Sequence, residues 1–415
     1  MTPSKERSTT ARRERCQLSN VLVVGSSLAG LRFVESARRH GYDGRLRLVG
    51  AENHLPYDRP PMSKAFLTDG RSSPGDLQYK GEKYYDDLDV DLLLGTPAEG
   101  LDLAAKEIRL ADGSRMTYDR LLIATGSRAR WLPGADTLDG VFTLRTVDDA
   151  VAIRDALDQA HRVVVIGSGF IGSEVAASAR ARGLDVTVLE ALRQPLVRTV
   201  GPVLGERLGK LHEQHGTMLR CAAAVERLEG RGRVEGVRLT DGTVLRADVV
   251  VCGVGAVPAT DWLADSGLPV DDGVIADATL QVTPDVYAVG DVVRWQHDLY
   301  GASMRVEHWT TAADQGAAAA KNLFGPGAPT PYVGVPYFWS DWYDDRIQFV
   351  GVPSAESHVV LGSLEDDRFV AAFRDGGRIV GALALNWPTM IMKYRALIAR
   401  SAPWSDVRAL VELAS

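Results

Sequence analysis

The chain has little cysteine, no long apolar run and no excess of basic charge, and each shortage excludes a class of protein. Three cysteines, Cys16, Cys221 and Cys252, occur in 415 residues. Their spacings match neither a CxxC redox pair nor a zinc site, so no disulfide framework and no local dithiol mechanism is encoded. No stretch approaches the roughly 18 apolar residues that a bilayer span requires. The 47 Lys and Arg against 54 Asp and Glu leave a net charge of −7, which gives no general attraction to nucleic acid or to an anionic membrane. The acidic stretch Asp341–Asp345 lacks a recognised ligand spacing and is read as a polar turn, so no metal is expected.

Residues 1–17 are polar and basic, and the first apolar run, Val21–Val24, stops at Gly25. An export signal needs an apolar stretch of about 7–15 residues there. The segment 1–17 is read as a disordered tail, and the protein as soluble and cytoplasmic. What the chain does have is ordinary globular material, 45% hydrophobic and 24% charged. Its length suits two or three domains.

Comparing the chain with itself is the most informative operation. Val21–Val24 leads into Gly25-Ser26-Ser27-Leu28-Ala29-Gly30, and Val163–Ile166 leads into Gly167-Ser168-Gly169-Phe170-Ile171-Gly172. Each is a short β-branched run feeding a glycine turn and then a helical stretch, the arrangement by which helix N-terminal amides hold a pyrophosphate. In both, a second apolar strand runs to an acid, Glu52 and Glu190, lying 22 and 18 residues beyond the last glycine. A ribose hydroxyl is expected at such a carboxylate. The first turn carries Ser27 where the middle glycine normally stands, and its hydroxyl is expected to donate to phosphate in compensation. Two further markers complete the order. Leu121–Ile123 runs into Ala124-Thr125-Gly126, and Val286–Val289 runs into Gly290-Asp291.

With these residues, and with Leu55–Lys64, Val306–Trp309, Gln315-Gly316 and Pro336–Asp341, the chain resembles the two-dinucleotide-binding flavoproteins. Within them it is similar to the NADH-dependent ferredoxin reductases that serve cytochrome P450s and Rieske oxygenases. The resemblance implies an α/β fold with two doubly wound, Rossmann-like dinucleotide-binding domains, glutathione-reductase-like, and a C-terminal α+β domain. The expected boundaries are 18–128 with 255–325 for FAD, 129–254 for NAD and 326–415 for the C-terminal domain. It assigns to FAD the positions Gly25, Ala29, Gly30, Glu52, Arg59, Lys64, Ala98, Ala124, Thr125, Gly126, Arg145, Gly290, Asp291, Glu307, His308, Trp309 and Trp339. It assigns to NAD the positions Gly167, Gly169, Phe170, Ile171, Gly172, Glu174, Glu190, Arg198 and Gly255. Some relatives carry Asp where this chain has Ala51, so the first ribose carboxylate either moves to Glu52 or is supplied differently.

The same resemblance implies the chemistry. Lys64 and Glu174 are expected as an ion pair beside flavin and nicotinamide, each offsetting the cost of burying the other. Glu190 favours NADH, because a carboxylate accepts from a free 2′-hydroxyl and repels a 2′-phosphate; NADPH is the lesser donor. Electrons enter the flavin as a pair and leave singly to a [2Fe–2S] or [3Fe–4S] ferredoxin. His308 is read as adjacent to the cofactor and not as a general base. Trp309 and Trp339 are candidates for packing on the ring or lining the electron exit. An acidic ferredoxin directs attention to Arg294, Arg305 and Arg346. Two other functions share the architecture. An NADH oxidase or peroxidase keeps a redox cysteine where this chain has Asn53–Pro56. A flavin-bound interaction protein resembling apoptosis-inducing factor remains open on sequence alone.

Overall fold

Apolar runs of four or five β-branched residues, each closed by glycine, form parallel strands buried on both faces, and such strands need crossover helices to cover them. The computed structural model describes residues 20–68 and 70–413, so the tail read at 1–17, with Cys16, lies outside the described residues. Two compact units emerge. The first comprises the described residues up to Asp58, Gln78–Ser127 and Pro258–Gly334; the second comprises Arg59–Leu77, Arg128–Val257 and the described residues from Val335 onward.

In the first unit β1 (Asn20–Val24) lies between parallel β2 (Arg45–Val49) and the strand Arg120–Ile123, with Val24 opposite Val49 and Ile123. Helix α1 (Leu28–Arg39) carries the chain from β1 to β2. The six-stranded sheet runs Gln281–Thr283, Val286–Ala288, Arg120–Ile123, β1, β2, Val90–Leu93. Leu22, Leu31, Phe33, Leu46, Tyr85 and Trp295 fill its core. The alanine-rich helix Trp309–Phe324 packs on α1 at backbone distance, since a Cβ on Gly316 would meet the Ala29 carbonyl oxygen at 2.3 Å.

The second unit repeats the plan. Strand β3 (Arg162–Ile166), helix α2 (Phe170–Ala181) and strand β4 (Asp185–Leu189) form a parallel βαβ unit, with Ile166 opposite Leu189. Its sheet runs Met218–Arg220, β4, β3, Val249–Cys252, Val141–Phe142. Helix α3 (Pro202–Gln214) follows. Beyond it, β5 (Tyr337–Trp342) and β6 (Asp345–Gly351) open a five-stranded antiparallel sheet closed by Glu356–Leu361. Helices Pro388–Ala399 and Trp404–Glu412 end the described chain. One face of this C-terminal sheet shares its core with α3. Val200, Leu204, Leu208 and Leu211 around α3 share one apolar cluster with Trp342, Phe349, Phe369 and Leu385. The fold is therefore α/β with two doubly wound nucleotide-binding sheets and a C-terminal α+β region.

Candidate active site

In the first unit, strand pairing brings the motif residues together. Gly25 adopts φ +122°, and a Cβ there would lie 2.0 Å from the Ala124 carbonyl oxygen. A side chain is excluded because the turn presses on Ala124-Thr125-Gly126. Gly30 is as tightly placed, its Cβ position 2.1 Å from the Gly25 oxygen. Gly290 (φ +77°) sits against Ala29, with its amide donating to the Gln315 side-chain oxygen at 2.8 Å. Asp291 accepts from the Ser127 hydroxyl at 3.0 Å. Thr125 donates to the Ala259 carbonyl at 2.8 Å. The motifs at Ala124 and Gly290, remote in sequence, thus close on the glycine turn and the first turn of α1, which has no side-chain cap and no acid. Unencumbered amides at a helix N-terminus suit an anion.

Around this turn, Glu52 accepts from the Tyr57 hydroxyl. Ala98 opens a small antiparallel sheet, paired with Leu110. Burial pushes the His308 imidazole down to about 4, partly opposed by Asp291, so the ring is neutral near pH 7. Glu307 accepts from Arg305 at 2.6 Å. The Trp309 indole N–H is shared between Asp58 Oδ1 at 2.7 Å and the Tyr79 hydroxyl at 3.0 Å, and Tyr79 itself donates to Asp58 at 2.8 Å. Burial, then the Asp58 carboxylate, raises the Tyr79 phenol, which keeps it a donor. Sequence reasoning missed Asp58 and Tyr79. The only available signal was the position of Asp58 inside the Leu55–Lys64 motif.

The second unit holds the other turn. Gly167 (φ +103°) and Gly172 are forced by packing, with Cβ positions 2.3 Å from the Gly253 oxygen and 2.2 Å from the Gly167 oxygen. Gly169 is different. Its φ of −69° suits any residue, and a Cβ would find its nearest neighbour at 4.0 Å. The surrounding protein therefore does not require a glycine at this position. Helix α2 also lacks a side-chain cap and a first-turn acid. Glu190 follows β4 directly and accepts from Ser168 Oγ at 2.6 Å and from the Leu192 amide at 2.8 Å. Its carboxylate therefore borders the glycine turn.

Glu52 and Glu190 do not occupy equivalent places. Gly25 donates to Val49 and Gly167 to Leu189, each at 2.8 Å, so register pairs Glu190 with Gly50. A Cβ at Gly50 would lie 2.0 Å from Ser26 Oγ. In the second fold the equivalent serine, Ser168, donates to Glu190, whereas in the first Ser26 lies over Gly50 and the acid stands two residues further on. The residues present thus fit a dinucleotide at each turn.

Arg59, Lys64, Arg145 and Trp339 lie in the second unit. The Arg59 guanidinium donates to the Arg145 carbonyl. Lys64 Nζ stands 2.8 Å from Glu174 Oε1, and Glu174 is only 3% exposed. Phe170 spends its ring on Phe338, centroids 4.5 Å apart, whereas Ile171 is 48% exposed at the mouth of the turn. Arg198 is exposed on a short helix, and Gly255 (φ +99°) has open space around it. The arginines considered for an acidic partner are already neutralised. Arg294 pairs with Asp271 at 3.2 Å, Arg305 with Asp272 at 3.1 Å and Arg346 with Asp341 at 3.7 Å. Both described thiols are raised above their usual value by burial, Cys252 to about 11 and Cys221 with help from Glu190. Neither is a thiolate near pH 7. Among the described residues no group of His, Cys, Asp and Glu forms a metal site.

Residues 19–316 match the family model described as pyridine nucleotide-disulphide oxidoreductase, and residues 337–412 match the one described as reductase C-terminal. The chain is 37% identical over 398 residues to rhodocoxin reductase of Rhodococcus erythropolis, covering 94% of this chain and 92% of that protein. It is similar to the crystal structure of a ferredoxin reductase from Rhodopseudomonas palustris, with TM-score 0.89, 35% identity and 93% and 95% of the two chains covered. The reductase in a covalent putidaredoxin reductase–putidaredoxin complex superposes with TM-score 0.88 at 33% identity, covering 93% of this chain and 94% of that one.

Proposed function

The chain belongs to the ferredoxin reductases of the two-dinucleotide-binding flavoprotein family, and from that membership we propose that it is an FAD-dependent NADH:ferredoxin oxidoreductase. Its acceptor is a [2Fe–2S] or [3Fe–4S] ferredoxin that supplies a cytochrome P450 or Rieske oxygenase. The observation that carries the reading is the pairing, in one chain, of two glycine turns built to the same register with an ion pair between Lys64 and the buried Glu174, and with no thiolate among the described residues. FAD takes residues 18–128 and 255–325, and NADH takes 129–254. The reaction proceeds in the cytoplasm, where NADH is supplied.

When bound, FAD and NADH supply hydride transfer and the conversion of an electron pair into single electrons. The protein's own residues bind and orient. The first turns of α1 and α2 direct amides at pyrophosphate, and Gly169 leaves room for close approach. Glu190 accepts from ribose hydroxyls and opposes a 2′-phosphate. Lys64 presents a cation at the reacting end of the site, with Glu174 balancing its charge. Asp58 and Tyr79 fix the Trp309 indole in one orientation. Neutral His308 and the protonated thiols take no part in proton or electron relay.

Rapid mixing with NADH and NADPH, followed by turnover against both ferredoxin types with oxygen as control, tests the reading. Fast flavin reduction by NADH with ferredoxin-dependent turnover is expected. Slow reduction with a persistent charge-transfer band would establish the interaction protein instead, and turnover with oxygen alone would establish an oxidase.

A further inference from the structure

The Lys64–Glu174 pair is held by two hydroxyls that the sequence did not reveal. Glu174 Oε1 receives the Ser340 hydroxyl at 2.5 Å in addition to Lys64, and Oε2 receives the Ser63 hydroxyl. Three donors from two distant parts of the chain thus converge on one carboxylate: Ser63 and Lys64 at the end of the Pro60–Ser63 turn, and Ser340 on strand β5. All three hydrogen bonds are to a charged acceptor, the stronger kind.

Each hydroxyl is itself aimed. Ser340 is fully buried, and the Trp342 indole N–H donates to its oxygen at 2.9 Å. With a donor already on that oxygen, the Ser340 proton is left to point at Glu174. Trp342 cannot swing away, because it is buried among Leu204, Leu208 and Phe349 and stacks on the His212 ring at 5.1 Å. On the other side, Ser178 Oγ donates to the Ser63 carbonyl at 2.7 Å, which ties the Pro60–Ser63 turn to α2.

The need for such a grip follows from Lys64. Its ammonium has a second acceptor in reach, the Pro60 carbonyl at 3.2 Å. A carboxylate free to rotate would share the lysine with that carbonyl, and the cation would lose its fixed place. Preorganised charge contributes to catalysis only when it need not reorganise as the reaction proceeds.

We propose that Ser340 and Ser63 are positioning residues for the Lys64–Glu174 pair, so that the C-terminal hairpin sets the geometry of the redox site's ion pair. The inference rests on the reading of Lys64 and Glu174 as the pair beside the reacting ring. Ser340 acts through Glu174 and touches neither nucleotide in this role.

The test is rapid-mixing reduction of the FAD-loaded full chain by NADH, resolved into a limiting rate and a half-saturating concentration. Ser340→Ala is expected to lower the limiting rate about tenfold, the scale of one hydrogen bond to a charged group, with half-saturation unchanged. Ser340→Cys, a weaker donor of similar shape, falls between. In a Glu174→Gln background the Ser340→Ala change adds nothing, since coupled residues are not additive. Ser63→Ala gives the same pattern through the other oxygen and serves if Ser340→Ala does not fold. A Ser340→Ala limiting rate equal to that of the unaltered protein overturns the inference. So does an equal loss in the Glu174→Gln background, which marks a merely structural effect. Failure of NADH to reduce the unaltered protein, or full activity of Glu174→Gln, strikes the functional reading instead.

Discussion

At the scale of single residues, Glu190 and Lys64 carry the sharpest expectations. Glu190→Ala removes the charge that opposes a 2′-phosphate, so the ratio of kcat/KM for NADH over NADPH should fall by about tenfold or more, the equivalent of about 1.4 kcal/mol. Steady-state kinetics with both donors measures it. Lys64→Ala should slow flavin reduction on the order of a hundredfold, as when one preorganised donor is lost, while circular dichroism stays unchanged; an unaltered rate in rapid mixing would sink the role. Spacing beyond the glycine turn pointed to Glu190, and the resemblance carried by Leu55–Lys64 pointed to Lys64. Asp58, Tyr79, Ser63 and Ser340 were not legible in this way. Their work depends on which distant side chain they meet, Trp309 for two of them and Glu174 for the others. Asp58 and Ser63 lie inside the Leu55–Lys64 motif and Ser340 inside Pro336–Asp341, but residue type and spacing do not say which distant side chain each one meets, and Tyr79 carries no mark at all.

At the scale of elements, the glycines of one turn divide into two kinds that the motif treats alike. Gly172→Ala places a Cβ 2.2 Å from the Gly167 oxygen and should lower the melting temperature markedly. Gly169→Ala fits the protein, with backbone in an extended conformation and the nearest atom at 4.0 Å, an ordinary contact, and should leave stability within about 0.5 kcal/mol. It should instead raise the KM for NADH, since the methyl stands where the pyrophosphate is proposed to approach. Equal effects of the two changes on melting would refute the distinction. The strands and turns themselves were readable, because buried parallel strands need uninterrupted apolar runs and glycine ends them. The offset between Glu52 and Glu190 was not. The equivalent serines make different contacts, Ser26 over Gly50 and Ser168 to Glu190, between residues well separated in the chain that no spacing rule encodes.

At the scale of the whole molecule, buried neutral imidazoles tie stability to pH. His212 is fully buried, bonded to Tyr343 at 2.8 Å and Ser173 at 3.1 Å, and burial with the nearby His215 lowers it to about 4. The unfolded chain binds this proton near 6.5 and the folded chain only near 4. Stability from His212 is therefore full above about pH 6.5 and is lost as pH falls toward 4, by on the order of 3 kcal/mol in all. His308 acts in the same direction. Thermal melts between pH 7 and 4 should show a shallower decline for His212→Gln than for the unaltered protein, and parallel declines would rule out the assignment. The two nucleotide-binding folds were legible from the internal repeat, but the sharing of one core between α3 and the C-terminal sheet was not, because an apolar helix face does not name its partner. That shared core has a consequence for synthesis. The face of Leu204, Leu208 and Leu211 leaves the ribosome roughly 170 residues before Leu385 completes its cover, a wait of about ten to thirty seconds at ordinary elongation rates. During that interval the nascent chain carries an uncovered apolar strip, and messages or fragments that stop short of β5 would release it permanently.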